Sequence, residues 1–328
     1  MTKGVLLDMK KALAICLSTA FLLTGCGAST QNTDTTKETD LTVVTSFYPV
    51  YTLALNVTDG VEGVTVKNMA QPQTGCLHDY ELTTADMKVL ETANVFLVNG
   101  LGMESFLEDT IAQYPKVYIG DTSTGTDILV TTEHEHDDDD DDFEEQPDIE
   151  ENPHIWLNPA NAVKQAEAIR DTLMQADPNH AAQYQENTQK FAESMKQVLQ
   201  DAVDLTAADG TKVATFHEGF AYLADVAAMQ VGVSIDVDEN EEPSAKELAE
   251  AAELIRKENI KLFLVADDTG RKYAEMLAKE TAGNGESKII QLDPLTSGAM
   301  DKDAYRIGME KNLSILTEAL SEMQKEGI

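Results

Sequence analysis

From Leu41 to the C-terminus, short β-branched runs alternate with helical patterns, and they do so in two successive sets. Leu41–Ser46, Val64–Asn68, Asn94–Asn99 and Lys116–Ile119 have the composition of strands, with Tyr51–Val57, Thr84–Thr92 and Glu104–Tyr114 between them as helices. Lys212–Thr215, Val231–Ile235, Lys261–Val265 and Lys288–Gln291 form a second set of strands, again separated by helical stretches. Strands that alternate with helices pair in parallel, because each crossover helix returns the chain to the same end of the sheet. The chain is therefore expected to be α/β, with two lobes built on parallel sheets. Two local signals fix helix starts: Thr83 precedes Asp86 by three residues, and Ser244-x-x-Glu247 forms a capping box for a helix to about Lys257.

Between the sets lies the longest helical pattern. Asp177-Pro178 supplies an N-cap and a proline suited to the first helical position, and no glycine or further proline follows until Gly210. Tyr184, Phe191, Met195, Val198 and Leu199 recur at three- and four-residue steps, the period of one buried face. A helix over 178–205 would be roughly 40 Å long at 1.5 Å per residue. The expected organisation is a first lobe over 41–177, one rigid connecting helix over 178–205, and a second lobe over 206–328, with a cleft between the lobes.

The N-terminus reads as an address and not as fold. Lys10-Lys11 precede the apolar run Ala12–Leu23, which ends in Leu23-Thr24-Gly25-Cys26. A basic start, a short apolar core and a small residue before the cut describe a secretory signal over 1–26, too short for a stable span. Met9 fits as the true start. The LTGC ending resembles the bacterial lipoprotein signal, which implies acylation of Cys26 and a lipid-held protein at the outer face of the cell membrane. Residues 27–40 are small and polar, a flexible tether. Of the three cysteines only Cys76 would remain as a thiol, so no internal disulfide is expected.

The formal charge is −35, and the acidity is spread over the chain. Such a surface repels phosphate backbones and attracts cations, which excludes nucleic acid as an expected partner. Its densest part is the loop over 133–151, with six consecutive aspartates after His134 and His136. Like charges keep such a run extended and solvated, while the two histidines and the acids together could gather metal weakly.

Six histidines are present in all. His134 and His136 lie in the acidic run, and His180 falls in the first turn of the long helical pattern, where exposure is expected. His78, His154 and His217 fall just after or between the predicted strands, where ligands collect in open parallel sheets. Two come from the first lobe and one from the second. Three imidazoles with a carboxylate or water make a tetrahedral zinc site. Asp267 and Asp268 follow the strand Lys261–Val265 in the way that His217 follows Lys212–Thr215.

The local motifs around these residues are specific. Gly75-Cys76-Leu77-His78-Asp79-Tyr80-Glu81, Asn94–Gly102, Asn152-Pro153-His154-Ile155-Trp156-Leu157-Asn158-Pro159, Phe216-His217-Glu218-Gly219-Phe220-Ala221-Tyr222 and Glu242-Pro243-Ser244 all have counterparts in one family. The chain resembles the substrate-binding lipoproteins of bacterial zinc and manganese ABC importers, over essentially everything from Leu41 onward. That resemblance implies His78 and His154 as first-lobe metal ligands and His217 as the second-lobe ligand. It also implies Zn²⁺ as the transported ligand, a permease with its ATPase as partners, and action as a monomer. Family members that take manganese often carry a carboxylate at the third position. The nitrogen of His217 favours zinc instead, since harder oxygen sets suit manganese.

The chain departs from the family pattern in three places. Ala266 stands where a glutamate is frequent, leaving Asp267, Asp268 or water for the fourth position. Asn152 and Asn158 replace the usual aspartates, which weakens a carboxylate–histidine pairing at His154. Cys76, two residues before His78, is a further thiolate donor or a small loop residue. No HExxH or comparable helix motif accompanies the histidines, so the sequence reads as a binding protein and not as a zinc hydrolase. A surface adhesin remains the third class that a lipid anchor permits.

Overall fold

The structure, a computed structural model, describes residues 40–71, 80–132, 149–202, 210–237 and 242–326. The expected signal, Cys26, the tether, His78 with Cys76, and the histidines and aspartates of the acidic run lie outside those residues.

The first lobe carries β1 (Leu41–Thr45), α1 (Tyr48–Val57), β2 (Val64–Asn68), α2 (Thr84–Leu90), β3 (Val95–Val98), the one-turn α3 (Glu108–Ile111) and β4 (Tyr118–Asp121). Its strands pair in parallel in the order β2-β1-β3-β4. A short antiparallel pair follows, β5 (Val130–Thr132) and β6 (Ile149–Glu151), then a 3₁₀ turn at Ile155–Leu157, α4 (Pro159–Ala176) and α5 (Ala181–Asp201). The second lobe carries β7 (Lys212–Thr215), α6 (Phe220–Val226), β8 (Gln230–Ser234), α7 (Ala245–Glu258), β9 (Leu262–Val265), α8 (Asp268–Glu280), β10 (Lys288–Gln291) and α9 (Ala304–Glu326). Its sheet is also parallel, in the order β10-β9-β7-β8.

The two-lobed α/β architecture is the expected one. In each sheet the first strand is internal, so the chain leaves it once to one side and once to the other. That reversal opens a crevice at the carboxyl ends of β1 and β3 in one sheet and of β7 and β9 in the other. The capping box at Ser244 forms as expected, Ser244 Oγ accepting from Glu247 N, and the expected N-cap Thr83 closes a box of its own, its Oγ1 accepting from Asp86 N, each with the reciprocal carboxylate bond.

Three expectations change. The long helix is shorter than 178–205. Pro178–His180 is a 3₁₀ turn, and α5 spans 21 residues, about 31 Å. Asp177 does not cap it, because its Oδ2 accepts from the Tyr184 hydroxyl (2.8 Å) and pairs with His180 Nδ1 (2.6 Å). His180 is accordingly half-buried and not exposed. The helix expected over Glu104–Tyr114 breaks into a 3₁₀ turn at Ser105–Leu107 and the short α3, and Glu104 points inward from its start. Third, the acidic run is bracketed by the strands β5 and β6, which a three-residue length and the neighbouring charges conceal in the sequence.

α5 does not stand alone between the lobes. It packs on α4 and α1, and α9 returns from the second lobe to lie against α5 and α1. One continuous apolar core results, running from Val43, Phe47 and Trp156 through Tyr184 and Phe191 to Phe220, Leu264 and Tyr305. Separate clusters fill the outer layers of each lobe, around Phe96 and Leu107 in the first and Phe216 and Phe263 in the second.

Candidate metal centre

His217 is placed by β7. Phe216 N extends the ladder by donating to Leu264 O (2.9 Å), and α6 starts three residues later, with Phe220 N donating to His217 O. The histidine thus occupies the turn between a buried strand and a helix at the crevice of the second sheet. Its Nδ1 accepts from Gly219 N (3.1 Å), so Nε2 carries the proton of the neutral ring. Binding a cation through Nε2 would require the ring proton to sit on Nδ1, facing the Gly219 N–H, at a cost of about 1–3 kcal/mol for the buried donors left unsatisfied.

His154 comes from the first lobe and meets it. The two rings lie 4.9 Å apart between centroids at 71°, with His154 only 2 % exposed and His217 9 %. His154 is held by Asn152, whose Oδ1 accepts from His154 N (3.1 Å) and faces Nδ1 (3.0 Å). Asn152 Nδ2 donates to Glu218 O (3.1 Å), which fixes the amide orientation: its oxygen must be the atom facing the ring. Nδ1 of His154 therefore bears the proton, and Nε2 presents a lone pair. An aspartate at 152 could accept from the ring but could not donate to Glu218. The asparagine orients His154 and ties it to the second-lobe loop in one group.

Neighbours lock this arrangement. Trp156 is fully buried, stacks obliquely on His154 (5.2 Å), meets Phe47 edge-on (5.2 Å, 81°) and donates Nε1 to Pro294 O (2.8 Å). Gly219 lies so close to His154 that a Cβ there would meet His154 Cβ and Cγ at 2.9 Å and Leu157 Cδ1 at 2.8 Å. The Tyr222 hydroxyl donates to Asn152 O (2.8 Å) and accepts from Leu129 N (3.1 Å), closing the base of the β5–β6 pair onto α6. Burial pushes that phenol up to about 12. Glu218 Oε2 lies 3.9 Å from His154 Nδ1 and is partly open to solvent.

Of the residues singled out from the sequence, the structure brings His154 and His217 together. Asp267 is exposed and uses Oδ1 to cap α8, accepting from Gly270 N (2.8 Å); Asp268 is exposed in the first turn of that helix. Among the described residues, no three histidine, cysteine or acidic side chains gather closely enough to hold a metal. The third expected nitrogen, His78, belongs to 72–79. It is followed by Tyr80, whose hydroxyl donates to the buried carboxylate of Asp86 (2.8 Å).

Two acids outside the sequence-predicted set also lie beyond strand ends. Asp293 follows β10 as Asp267 follows β9, and the strand-end rule points to both equally. It is half-buried, Leu295 N bonds its Oδ1 (2.8 Å), and the next residue, Pro294, is the acceptor for Trp156. Glu104 is the other. Its buried carboxyl accepts from Asn99 N (2.7 Å) and Gly100 N (3.1 Å), and burial raises it to about 7 against the pull of those bonds.

Comparison with known proteins identifies the family of the chain. Residues 43–319 match the family described as zinc-uptake complex component A, periplasmic. The zinc-binding protein AdcA of Streptococcus pyogenes is 30 % identical over 88 % of the chain, which spans only 57 % of that relative's length. The high-affinity zinc uptake system protein ZnuA of Bacillus subtilis is 27 % identical over 91 % of this chain and 94 % of its own. A crystal structure of Zn(II)-bound AdcA from Streptococcus pneumoniae superposes with a TM-score of 0.65 at 27 % identity, over 85 % of this chain and 57 % of that one. With two parallel-sheet lobes and a paired histidine from each, the chain belongs to the family of the periplasmic component A of zinc-uptake complexes.

Proposed function

We propose that this protein captures Zn²⁺ outside the cytoplasmic membrane and hands it to the permease of an ABC importer. His154 and His217 bind the ion through Nε2, His78 supplies the third nitrogen, and the fourth donor is water or one of the carboxylates following second-lobe strands, Asp267, Asp268 or Asp293. Acylated Cys26 holds the protein at the membrane face. The meeting of His154 and His217 from opposite lobes carries this reading, because it sets two buried imidazoles, ring centroids 4.9 Å apart, side by side at the crevice as a pair of nitrogen donors. Nitrogen donors favour zinc over manganese.

Competition titration with a chromophoric chelator tests the assignment on His78→Ala, His154→Ala and His217→Ala. Each is expected to weaken zinc by more than the ~10–100-fold that loss of an outer partner of a ligand costs. Wild-type affinity in all three would overturn it. Zn²⁺ should also raise the melting temperature well above Mn²⁺ at matched concentration, since stabilisation follows differential affinity.

A further inference from the structure

We propose that Glu104 is a positioning residue for the metal site, acting on His154 through Asn99. The inference rests on the reading of His154 as a ligand.

Glu104 is a carboxylate at 7 % exposure, and no lysine, arginine or histidine forms an ion pair with it among the described residues. Burying such a group is expensive, and packing alone would be served better by an apolar side chain. What it does hold is the exit of β3, at the crevice of the first sheet. Its two oxygens take the successive N–H groups of Asn99 and Gly100. The chain there runs through three consecutive left-handed residues, Gly100 (φ +89°), Leu101 (+55°) and Gly102 (+77°). For Leu101 this conformation costs about 1–2 kcal/mol, so the turn persists only because something fixes it. Gly100 is also required sterically, since a Cβ there would overlap Asp121 Oδ1.

The turn sets the Asn99 side chain. Asn99 is fully buried, donates Nδ2 to Pro153 O (2.8 Å) and accepts from Gln165 Nε2 (3.1 Å). Pro153 directly precedes His154. The peptide that carries the ligand is thus gripped on one side by Asn152, through the ring and N–H, and on the other by Asn99, through the preceding carbonyl. The 3₁₀ turn that starts directly after Glu104 reaches the other first-lobe segment: Phe106 meets Tyr80, two residues past His78, edge-on at 5.6 Å. A metal accepts ligand atoms within about 0.2 Å of their ideal distances, so the position of the Pro153–His154 peptide is directly felt in affinity.

The test compares zinc affinity, by chelator competition well below the melting temperature of the zinc-free protein, for wild type, E104Q, N99A, E104Q/N99A and H154A. In E104Q the new amide keeps one acceptor and turns an N–H toward Gly100 N. E104Q and N99A are each expected to weaken zinc about tenfold, the scale of an outer partner of a ligand, while remaining folded. The double variant should be no weaker than N99A alone, because both act along one path. Wild-type affinity in E104Q and N99A, with H154A having lost zinc, would overturn the positioning role and leave the site assignment standing. Multiplying losses in the double variant would overturn the route through Asn99. Retained affinity in H154A would instead overturn the ligand assignment and this inference with it. Should E104Q fail to fold, N99A, which leaves the Glu104 carboxylate in place, decides whether the Asn99–Pro153 grip matters: tenfold weaker zinc supports it, and wild-type affinity overturns it.

Discussion

Gly219→Ala isolates the contact between the lobes at the candidate site. Gly219 has φ −59° and ψ −22°, a conformation that alanine adopts without strain. Any harm must therefore come from the added methyl. It would lie 2.8–2.9 Å from Leu157 Cδ1 and from His154 Cβ and Cγ, where ordinary contacts begin near 3.4 Å. Something must yield by about 0.5 Å, and overpacking of this kind costs roughly 1–3 kcal/mol. Lower backbone entropy in the unfolded chain returns about 0.4–1 kcal/mol of that, so the zinc-free protein should lose only about 1–2 kcal/mol. The effect on zinc should be larger. Displacing His154 by about 0.5 Å exceeds the tolerance of a Zn–N bond of about 2.0–2.1 Å, and a loss of at least tenfold in affinity is expected. Gly283→Ala is the control, because nothing lies within 4 Å of a Cβ there. Both variants are measured by chelator competition and by thermal unfolding without metal. A Gly219→Ala protein with a lowered melting temperature but wild-type zinc affinity would refute the reasoning, since the methyl would have been accommodated without disturbing a ligand.

The remaining expectations concern Glu104, the interlobe bonds and the acidic loop. Glu104 titrates near 7 in the fold against 4.5 for a free glutamate, so the native state holds the proton more tightly. Stability should fall as pH rises from about 4.5 to 7, by up to about 3 kcal/mol, a loss complete above 7. Urea unfolding in chelator should show E104Q losing less stability than wild type between pH 5 and 8, and parallel curves would count against a protonated Glu104. Tyr222→Phe removes the hydroxyl that bridges Leu129 N and Asn152 O and should cost about 1–3 kcal/mol in chemical unfolding; a neutral result would mean the bridge contributes nothing. Deleting 133–145 should remove weak zinc equivalents from calorimetry and leave one tight equivalent, because a charged loop pays ordering entropy on binding. Loss of the tight equivalent would make the loop a source of a ligand.

Legibility in the sequence followed the range of the interactions concerned. Thr83 and Ser244 were readable as helix starts because each capping box closes within four residues. Asp177-Pro178 offered an equally local signal and failed, because Tyr184, further along the chain in α5, takes the aspartate oxygen that a cap would use. β5 and β6 escaped because three-residue strands are defined only by each other, across the acidic run. At the site, the strand-end rule found His217, and the motif around Trp156 found His154; their meeting is a tertiary fact that neither strand encodes. The sequence pattern places Glu104 only at the start of a helix over Glu104–Tyr114. The signal was present in Asn99-Gly100-Leu101-Gly102, where flanking glycines announce a left-handed turn whose N–H groups need an acceptor. Asn152 was read as a weakened version of an aspartate, and only the bond to Glu218 shows what the amide adds.

The bonds that join the lobes also bear on how such a site admits a cation. Tyr48 donates to Ala299 O, Trp156 to Pro294 O, and Tyr305 to Trp156 O, all backbone acceptors across the lobe boundary. Asn152 donates to Glu218 O and receives from Tyr222. Separating the lobes would break these five bonds, at about 0.5–1.5 kcal/mol each, and would expose the apolar core that runs beneath both sheets. A wide hinge opening is therefore far more costly than the shift of one loop. Asn152 and Trp156 flank His154, and Glu218 and Tyr222 follow His217, so four of these five bonds involve a neighbour of a paired histidine. Rigidity at the boundary and preorganisation of the two imidazoles are consequently one property: a substitution that loosens the first should weaken zinc binding even where no ligand is touched.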